Sequence, residues 1–253
     1  MTTCRLIIDP PTSGVRNMAV DEVLLQSAAN DSVASLRFYR WEEATLSLGY
    51  FQAVGDRVGH AASGKCPLIR RASGGGAIVH DRELTYSLAL PVADRWSTRC
   101  QDMYTHVHLS LITVLREDGV AAGLYGGERA GERRGSGDDE FEPFLCFQRR
   151  SQGDVVLGQH KIVGSAQRRY RGAVLQHGSI LLRTSDCAPE LEGLSETAGR
   201  RYLAEDVMDR WLPRLSGALN ITFRRQTLAE REEERVNCLA EEKYGQAGHT
   251  QRR

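Results

Sequence analysis

The sequence predicts an α+β fold. Short segments with strand-like alternation or continuous apolar character occur in two batches along the 253 residues, and amphipathic helical segments lie between and after them. Batches of strands separated by helices, rather than a strict strand–helix alternation, are typical of α+β domains. The chain shows no internal repeat and no convincing linker, so we expect a single domain over residues 1–253.

The first elements are a strand, a helix and two further strands. Residues 6–8 form an apolar run closed by prolines, which indicates a short strand. Residues 17–29 have helical character, and Asn17 is placed to cap the helix. The segment 36–41 alternates in the manner of a strand, and another strand is expected at 45–48.

A glycine-rich turn divides the next strands. We expect a strand at 67–71 that runs into the glycines of 72–76, a second strand at 77–80, and a third at 84–90. The helix predicted over 98–117 begins with residues that fit a capping box and carries its apolar residues on one face.

The second batch of strands precedes the last helices. Residues 123–142 are rich in glycine and in both charge signs, so we expect a flexible surface loop there. The following segments are predicted as strands at 155–157, 161–163 and 173–182, a helix at 202–212, an edge strand at 222–226, a polar helix opening at 227–230, and a disordered tail at 245–253.

Composition narrows the class of protein. The 33 lysines and arginines equal the 33 aspartates and glutamates, so no net charge attracts the chain to nucleic acid or anionic lipid. Six cysteines are scattered without a CxxC pair or a close Cys/His cluster, which argues against a zinc site or a disulfide framework. No signal peptide or membrane-spanning run is evident, and we expect a cytoplasmic protein with reduced thiols.

Cys146 and Lys161 are the candidate catalytic residues. A thiol is a strong nucleophile only as the thiolate, and a nearby ammonium lowers its pKa. Cys146 lies in the apolar segment Phe144-Leu-Cys-Phe147, where burial alone would make it inert. The alternatives are a buried core cysteine and a solvated lysine, and only proximity of the two side chains would exclude both.

The glycine-rich turn is a candidate binding loop. Gly74, Gly75 and Gly76 lack a Cβ, so their backbone N–H groups can approach a carbonyl, carboxylate or phosphate, while Arg71 adds positive charge and Ser73 a hydroxyl. The alternative is a flexible hairpin turn. The pattern matches neither the P-loop nor the strand–GxGxxG–helix unit.

Polar residues on the later strands complete the candidate site. Gly164 and Ala166 leave room for a ligand beside Lys161, and Ser165 could donate a hydrogen bond. His177, followed by Gly178, could carry a proton or have a structural role. For His80 we expect a hydrogen bond that lines the pocket or fixes the loop.

Taken together, these motifs resemble the biotin/lipoate protein ligase superfamily, and most closely its cysteine-dependent octanoyltransferases of lipoate assembly. The resemblance is carried by Asn17-Met-Ala-Val-Asp-Glu22, Leu36-Arg-Phe-Tyr-Arg-Trp41, Leu46-Ser-Leu-Gly-Tyr50-Phe-Gln52, Arg70-Arg-Ala-Ser-Gly-Gly-Gly-Ala-Ile-Val-His80-Asp81, Lys161-Ile-Val-Gly-Ser-Ala-Gln167-Arg and Leu175-Gln-His-Gly-Ser-Ile180. It implies mixed, largely antiparallel sheets flanked by helices, as in class II biotin/lipoyl-synthetase-like catalytic domains.

The resemblance also implies an activity. Octanoyl would pass from acyl carrier protein through a thioester on Cys146 to a lysine of a lipoyl domain or of the glycine-cleavage H protein, with Lys161 lowering the pKa of the thiol. No cofactor or metal is implied. The substrate-binding residues implied are Arg71, Ser73, Gly74, Gly75, Gly76, His80, Gly164, Ser165, Ala166, His177 and Gly178.

Three alternatives remain open from the sequence. An amidotransferase that moves lipoyl or octanoyl groups between carrier proteins would use the same cysteine and lysine. A lipoate–protein ligase would require ATP and Mg, and such ligases generally carry an additional C-terminal domain. The residues after 182 supply only one or two helices and a strand. A module that binds acyl groups or carrier proteins without turnover is the non-enzyme alternative.

Overall fold

The strands of this protein form two sheets in a computed structural model that describes residues 2–126 and 143–252. The strands are β1 (Thr2–Ile8), β2 (Ser35–Tyr39), β3 (Thr45–Leu48), β4 (Leu68–Arg70), β5 (Ile78–His80), β6 (Glu83–Leu90), β7 (Gly123–Leu124), β8 (Val155–Leu157), β9 (His160–Tyr170), β10 (Ala173–Leu181) and β11 (Ile221–Arg225). The helices are α1 (Gly14–Asn30), α2 (Arg95–Thr98), α3 (Cys100–Glu117), α4 (Leu194–Thr197), α5 (Ala204–Leu219), α6 (Glu230–Leu239) and α7 (Ala247–Thr250).

The larger sheet has the order β11-β1-β2-β6-β10-β9-β8-β7. Pairing is parallel from β11 through β1 to β2 and antiparallel at every later step. Short connections join β8, β9 and β10, and such connections permit only antiparallel pairing. The predicted mixed, largely antiparallel α+β fold is therefore confirmed.

The smaller sheet places β3 between β4 and β5. β4 pairs with β3 in parallel and β5 pairs with it antiparallel, so the glycine-rich segment connects two strands that are not neighbours. The hairpin alternative for this segment is therefore wrong. The connection passes so close to Gly49 that a Cβ there would lie 1.9 Å from the carbonyl oxygen of Gly75.

Helices cover both faces of the larger sheet. Phe38 and Tyr39 are neighbours on β2 and, because side chains alternate along a strand, they join different apolar clusters. Phe38 packs with α3 and α5, where Trp211 is fully buried. Tyr39 packs with α1 and α6. Among the described residues, no helix has the length and apolar character needed to cross a bilayer.

The starts predicted for the first two helices differ from the structure. Helix α1 begins three residues before Asn17, and the Ser13 hydroxyl accepts the capping hydrogen bond from the Arg16 N–H. Asn17 is instead buried, and its side-chain oxygen accepts a hydrogen bond from Arg37 at 2.8 Å. The helix expected over 98–117 is α3, which begins at Cys100 without a side-chain cap. Thr98, predicted to cap it, is the last residue of α2, which Asp94 caps.

The ends of two predicted flexible segments are ordered. β7 lies at the start of the loop expected over 123–142 and pairs with β8, while residues 127–142 lie outside the described part of the chain. The tail expected to be disordered from 245 contains α7. Buried Arg70 donates to the Thr250 carbonyl from Nε at 3.0 Å and from Nη2 at 2.9 Å, which fixes this helix to β4.

Candidate active site

Cys146 and Lys161 face the same cavity of about 150 Å³, bounded by the glycine-rich segment and by β9 and β10. Most of the residues predicted for the site line it: Arg71, Gly74, Gly75, His80, Gly164, Ser165, Ala166, His177 and Gly178. Ser73 lines an adjoining cavity, and Gly76 packs against the backbone of Cys146. The sequence analysis did not include Met18, Ile78, Tyr104 and Asp154, which also line it.

Two backbone hydrogen bonds hold Cys146 beside the glycine-rich segment. The Cys146 N–H donates to the Ala77 carbonyl at 2.7 Å, and the Ala77 N–H donates to the Phe144 carbonyl at 3.0 Å. A Cβ on Gly76 would lie 2.9 Å from the Cys146 nitrogen, so only glycine permits this approach. Cys146 is half-buried, whereas neighbouring Phe147 is buried. The thiol therefore belongs to the cavity and not to the core.

Lys161 places its ammonium next to the sulfur. Its Nζ lies 3.7 Å from Cys146 Sγ and 3.3 Å from the Cys146 carbonyl oxygen. A Cβ on Gly164 would lie 2.6 Å from Lys161 Cε, so glycine at that position makes room for the lysine. Lys161 is 6% exposed, which excludes the solvated lysine. A cation at this distance favours the thiolate.

Asp154 is a buried partner of Lys161 that the sequence analysis missed. Its Oδ2 lies 2.8 Å from Lys161 Nζ, and its Oδ1 accepts a hydrogen bond from the Tyr104 hydroxyl at 2.9 Å. The hairpin of β8 and β9 pairs Val155 with Val163, which brings Asp154 next to Gly164. Interpreting residues 155–163 as a hairpin would have located this carboxylate.

Arg71 lies at the other end of the glycine-rich segment. Its guanidinium donates to the carbonyls of Ser47, Gly74 and Gly76 at 3.0, 3.1 and 2.6 Å. Gly75, which has a φ of +97°, lets the chain turn around this side chain. Burial lowers the pKa of Arg71 to about 10, so it is charged at neutral pH.

His177 connects the cavity to α1. Its Nε2 contacts the Ser73 hydroxyl, and its Nδ1 lies 3.1 Å from Asp21 Oδ2. Burial opposes ionisation of Asp21, but the hydrogen bond and charge interaction with His177, together with Arg37, hold the pKa of Asp21 below its ordinary value. The geometry gives His177 a carboxylate partner on one side and a hydroxyl on the other.

His80 is fixed on both ring nitrogens. Nδ1 lies 2.6 Å from Glu83 Oε1 and Nε2 lies 2.7 Å from the Ser47 hydroxyl. The ring also stacks on Trp41, with centroids 3.9 Å apart. These contacts match the hydrogen-bonding, pocket-lining role expected for this histidine.

Ser165 is held within a buried network. Its hydroxyl lies 2.7 Å from both Tyr86 Oη and His108 Nε2, and its N–H donates to Tyr104 Oη at 3.4 Å. Burial lowers the pKa of His108 to about 4, so this ring is neutral. A Cβ on Gly178 would lie 2.3 Å from Ser165 Oγ, so that glycine makes room for the network.

Two backbone donors near the sulfur have no acceptor. Within residues 2–126 and 143–252, the N–H groups of Gly75 and Gly76 donate no hydrogen bond, whereas the next N–H, of Ala77, does. The glycine-rich segment also borders the thiol, because a Cβ on Gly75 would lie 4.0 Å from Cys146 Sγ. Such donors can stabilise an oxyanion that develops during attack by the thiolate.

A second cavity of about 190 Å³ adjoins the first. Met18 and His177 line both, so these side chains form the partition between them. Tyr244 and His249 contribute to its outer wall, together with Tyr50. The ordered C-terminal segment therefore closes a space next to the candidate site.

Comparison with known proteins identifies relatives of the chain. The family model for the lipoyl protein ligase A/B catalytic domain matches residues 13–199. The octanoyltransferase LipM of Symbiobacterium thermophilum is 32% identical, with 96% of each chain covered. That of Kyrpidia tusciae is 36% identical, covering 83% of this chain and 74% of the relative.

Solved structures agree with this relationship. A lipoate protein ligase of T. acidophilum, with bound lipoic acid, has a TM-score of 0.76 at 25% identity and covers 100% of both chains. A lipoate-protein ligase A bound with ATP has a TM-score of 0.71 at 25% identity and covers 99% of both chains. The predicted superfamily and its catalytic fold are confirmed.

Proposed function

The chain belongs to the lipoyl protein ligase A/B catalytic-domain family, and from this premise we propose that it is an octanoyltransferase that works through a thioester on Cys146. The curated relatives are octanoyltransferases, which are acyltransferases. The observation that carries the proposed mechanism is the 3.7 Å distance between Lys161 Nζ and Cys146 Sγ inside a cavity.

The first half-reaction loads the enzyme. The Cys146 thiolate attacks the thioester carbonyl of octanoyl-acyl carrier protein, and the unoccupied N–H groups of Gly75 and Gly76 receive the developing oxyanion. The bond from the carbonyl carbon to the carrier's sulfur breaks, and the carrier's thiolate leaves and takes a proton. Octanoyl then remains on Cys146.

The second half-reaction transfers octanoyl to protein. A neutral lysine amine of a lipoyl domain or of glycine-cleavage H protein attacks the acyl-enzyme carbonyl, loses a proton and forms the amide, while the Cys146 thiolate leaves. Exchange between thioesters is nearly isoergic and conversion of a thioester to an amide is downhill, so the proposal includes neither nucleotide nor metal.

We also propose a location for the enzyme. The carrier proteins named above are expected in the cytoplasm, which is where we place the enzyme.

The cavity accounts for binding of the acyl chain. Met18 and Ile78 supply apolar side chains, and the glycines and Ala166 supply surface without bulk. Each buried CH₂ contributes ~0.8 kcal/mol, so a chain of eight carbons gains several kcal/mol on entering. In the proposed complex, the acyl chain binds with its carbonyl at Cys146 and its tail toward Met18.

Mass spectrometry of the intact protein tests the proposal. After incubation with octanoyl-acyl carrier protein, the wild type should gain one octanoyl group, located on Cys146, and a lipoyl domain should then remove it. Cys146→Ser should gain no octanoyl group that the lipoyl domain can remove, while Cys238→Ser, which changes a thiol at a different place in the fold, should match the wild type. A wild-type protein without thioester would contradict the proposal.

The remaining enzyme alternatives use different donors. An amidotransferase would load Cys146 from an octanoylated protein and not from acyl carrier protein. A ligase would release pyrophosphate from ATP only when free octanoate or lipoate is present. Parallel assays with the three donors therefore separate these activities, and a non-enzyme module would turn over none of them.

A further inference from the structure

The charge of Lys161 is already matched by a carboxylate. Asp154 Oδ2 is 0.9 Å closer to Lys161 Nζ than Cys146 Sγ is (2.8 against 3.7 Å). Both side chains are almost fully buried, at 6% and 1% exposure for Lys161 and Asp154. As seen from the sulfur, this ion pair is a dipole with its positive end nearby, and its field is weaker than that of an isolated ammonium.

Arg71 is a second cation near the sulfur, and no carboxylate of the described residues pairs with it. Its guanidinium donates to neutral oxygens, namely the carbonyls of Ser47, Gly74 and Gly76 and the Ser47 hydroxyl. No acidic side chain in the described ranges lies within ion-pair distance of it. The side chain is 3% exposed, so solvent does little to screen its charge.

Gly75 connects this guanidinium to the thiol. The position that a Cβ on Gly75 would occupy lies 3.2 Å from Arg71 Nη2 and 4.0 Å from Cys146 Sγ. Because Gly75 has no side chain, none is placed between the two groups. The absence of a Cβ on Gly75 thus allows the turn of the glycine-rich segment and also leaves the Arg71 guanidinium close to the Cys146 thiol.

The formal charges of Arg71, Lys161 and Asp154 are balanced by Cys146 when its thiol is ionised. With a protonated Cys146, the group of Arg71, Lys161 and Asp154 carries a net charge of +1. With the thiolate, the net charge is zero. The other titratable groups that face the cavity are neutral or are bound in separate pairs. Burial raises the pKa of Tyr39 and of Tyr104, so both are neutral. His80 pairs with Glu83, and His177 pairs with Asp21, which also binds Arg37.

We infer that Arg71 is the cation that balances the Cys146 thiolate, while Asp154 orients Lys161 and offsets its charge. Arg71 acts through the sulfur and is therefore a positioning residue of the reaction, not a ligand for substrate. This inference rests on the proposed role of Cys146 as the nucleophile. It assigns opposite effects to two buried residues: removing the charge of Arg71 should disfavour the thiolate, and removing the charge of Asp154 should favour it.

The pH dependence of Cys146 alkylation by iodoacetamide tests this inference without any acyl transfer. Peptide mass spectrometry resolves Cys146 from the other five of the six cysteines. At pH 7 we expect Arg71→Met to slow alkylation about tenfold, which corresponds to about one unit in the thiol pKa. Arg71→Lys keeps the charge and should remain within about threefold of wild type, although it loses the guanidinium's fork of hydrogen bonds. Asp154→Asn should accelerate alkylation severalfold at pH 6.

The two directions make the test robust to structural damage. A variant that merely disturbs the fold exposes the half-buried thiol and speeds alkylation at every pH. An acceleration in Asp154→Asn that is several times larger at pH 6 than at pH 9 therefore supports the charge balance, even where Arg71→Met fails to fold. Unchanged alkylation in folded Arg71→Met, equal slowing in Arg71→Lys, or slower alkylation in Asp154→Asn would each overturn the inference. Octanoyl loading of the wild type is scored separately: its absence removes the proposed function, whereas its presence with an unchanged Arg71→Met profile removes only this inference.

Discussion

Lys161 shares its ammonium between a carboxylate and a thiol. Its short contact to Asp154 fixes where the Nζ atom lies, and its longer contact to Cys146 Sγ is the one with chemical consequences. A lysine held by a buried partner loses less side-chain freedom when the reaction requires it in one place. Asp154 therefore contributes to the geometry of the site although its charge opposes ionisation of the thiol.

Gly164 offers a direct test of this geometry. A Cβ at this position would lie 2.6 Å from Lys161 Cε, at the flexible end of a side chain that can move aside. Gly164→Ala should therefore displace the ammonium and lower the octanoyl-loading rate at least about tenfold, with little change in the melting temperature. Gly55→Ala, where a Cβ would meet nothing within 4 Å, is the matched control. A loading rate in Gly164→Ala equal to that of the control would contradict the assigned geometry.

At the scale of elements, α1 separates the two cavities. Met18 projects from this helix, is 3% exposed and lines both spaces, and the proposed acyl chain would end against it. Met18→Ala should open the partition and shift loading from octanoyl toward decanoyl and dodecanoyl donors, by about tenfold in their ratio. Val23→Ala removes a buried side chain of the same helix that lines neither cavity and should preserve the octanoyl preference. An unchanged chain-length profile in Met18→Ala would place the end of the chain elsewhere.

Local signals predicted the elements better than their ends or partners. Alternating or continuously apolar segments located β2, β6 and β10, because these central strands are buried on both faces beneath helices. The start of α1 was missed because asparagine is a common helix cap, whereas the Asn17 side chain accepts a hydrogen bond from Arg37 in the interior. The glycine-rich segment was identified as a binding loop, yet its crossover from β4 to β5 depends on β3, which no local pattern reveals.

At the scale of the whole molecule, α6 is tied to the opposite end of the chain. Buried Glu232 accepts two hydrogen bonds of 2.6 Å from Arg5 on β1, and its Oε1 also binds the Ser27 hydroxyl on α1. Burial raises the pKa of Glu232, but the bonds from Arg5 and Ser27 outweigh this and lower it to about 2. The ion pair therefore stabilises the fold at pH values above the ordinary pKa of about 4.5, and this stabilisation is lost as the pH falls toward 2.

Unfolding by urea at several pH values tests this ion pair. At pH 6, Glu232→Gln should lower the free energy of unfolding by about 3 kcal/mol, because it leaves the Arg5 charge buried without a partner. The difference from wild type should shrink as the pH is lowered from 4.5, since unfolded wild type is then protonated at Glu232 while the folded protein keeps the carboxylate until about pH 2. Glu233→Gln, at the exposed pair with Arg16, should cost less than about 1 kcal/mol at either pH. A difference for Glu232→Gln that does not depend on pH would contradict the assigned titration.

The site as a whole is assembled from distant parts of the chain. Motifs identified in the sequence supplied Cys146, Lys161 and the glycine-rich segment, and the structure brings them into one cavity. Asp154 and Met18 join them through the hairpin register and through the packing of α1, respectively. Residue types alone did not distinguish these two from other aspartates and methionines, because their importance arises from tertiary position.

The rate of octanoyl loading onto Cys146 as a function of pH tests the central claim most directly. The account holds that the Lys161 ammonium favours the Cys146 thiolate during single-turnover loading of the wild type. Lys161→Met combined with Asp154→Asn, which removes the ammonium without leaving a buried charge, should load more slowly at pH 7 and recover as the pH rises toward 9. If this double variant shows the same pH profile as the wild type, the lysine does not activate the thiol and the account is wrong.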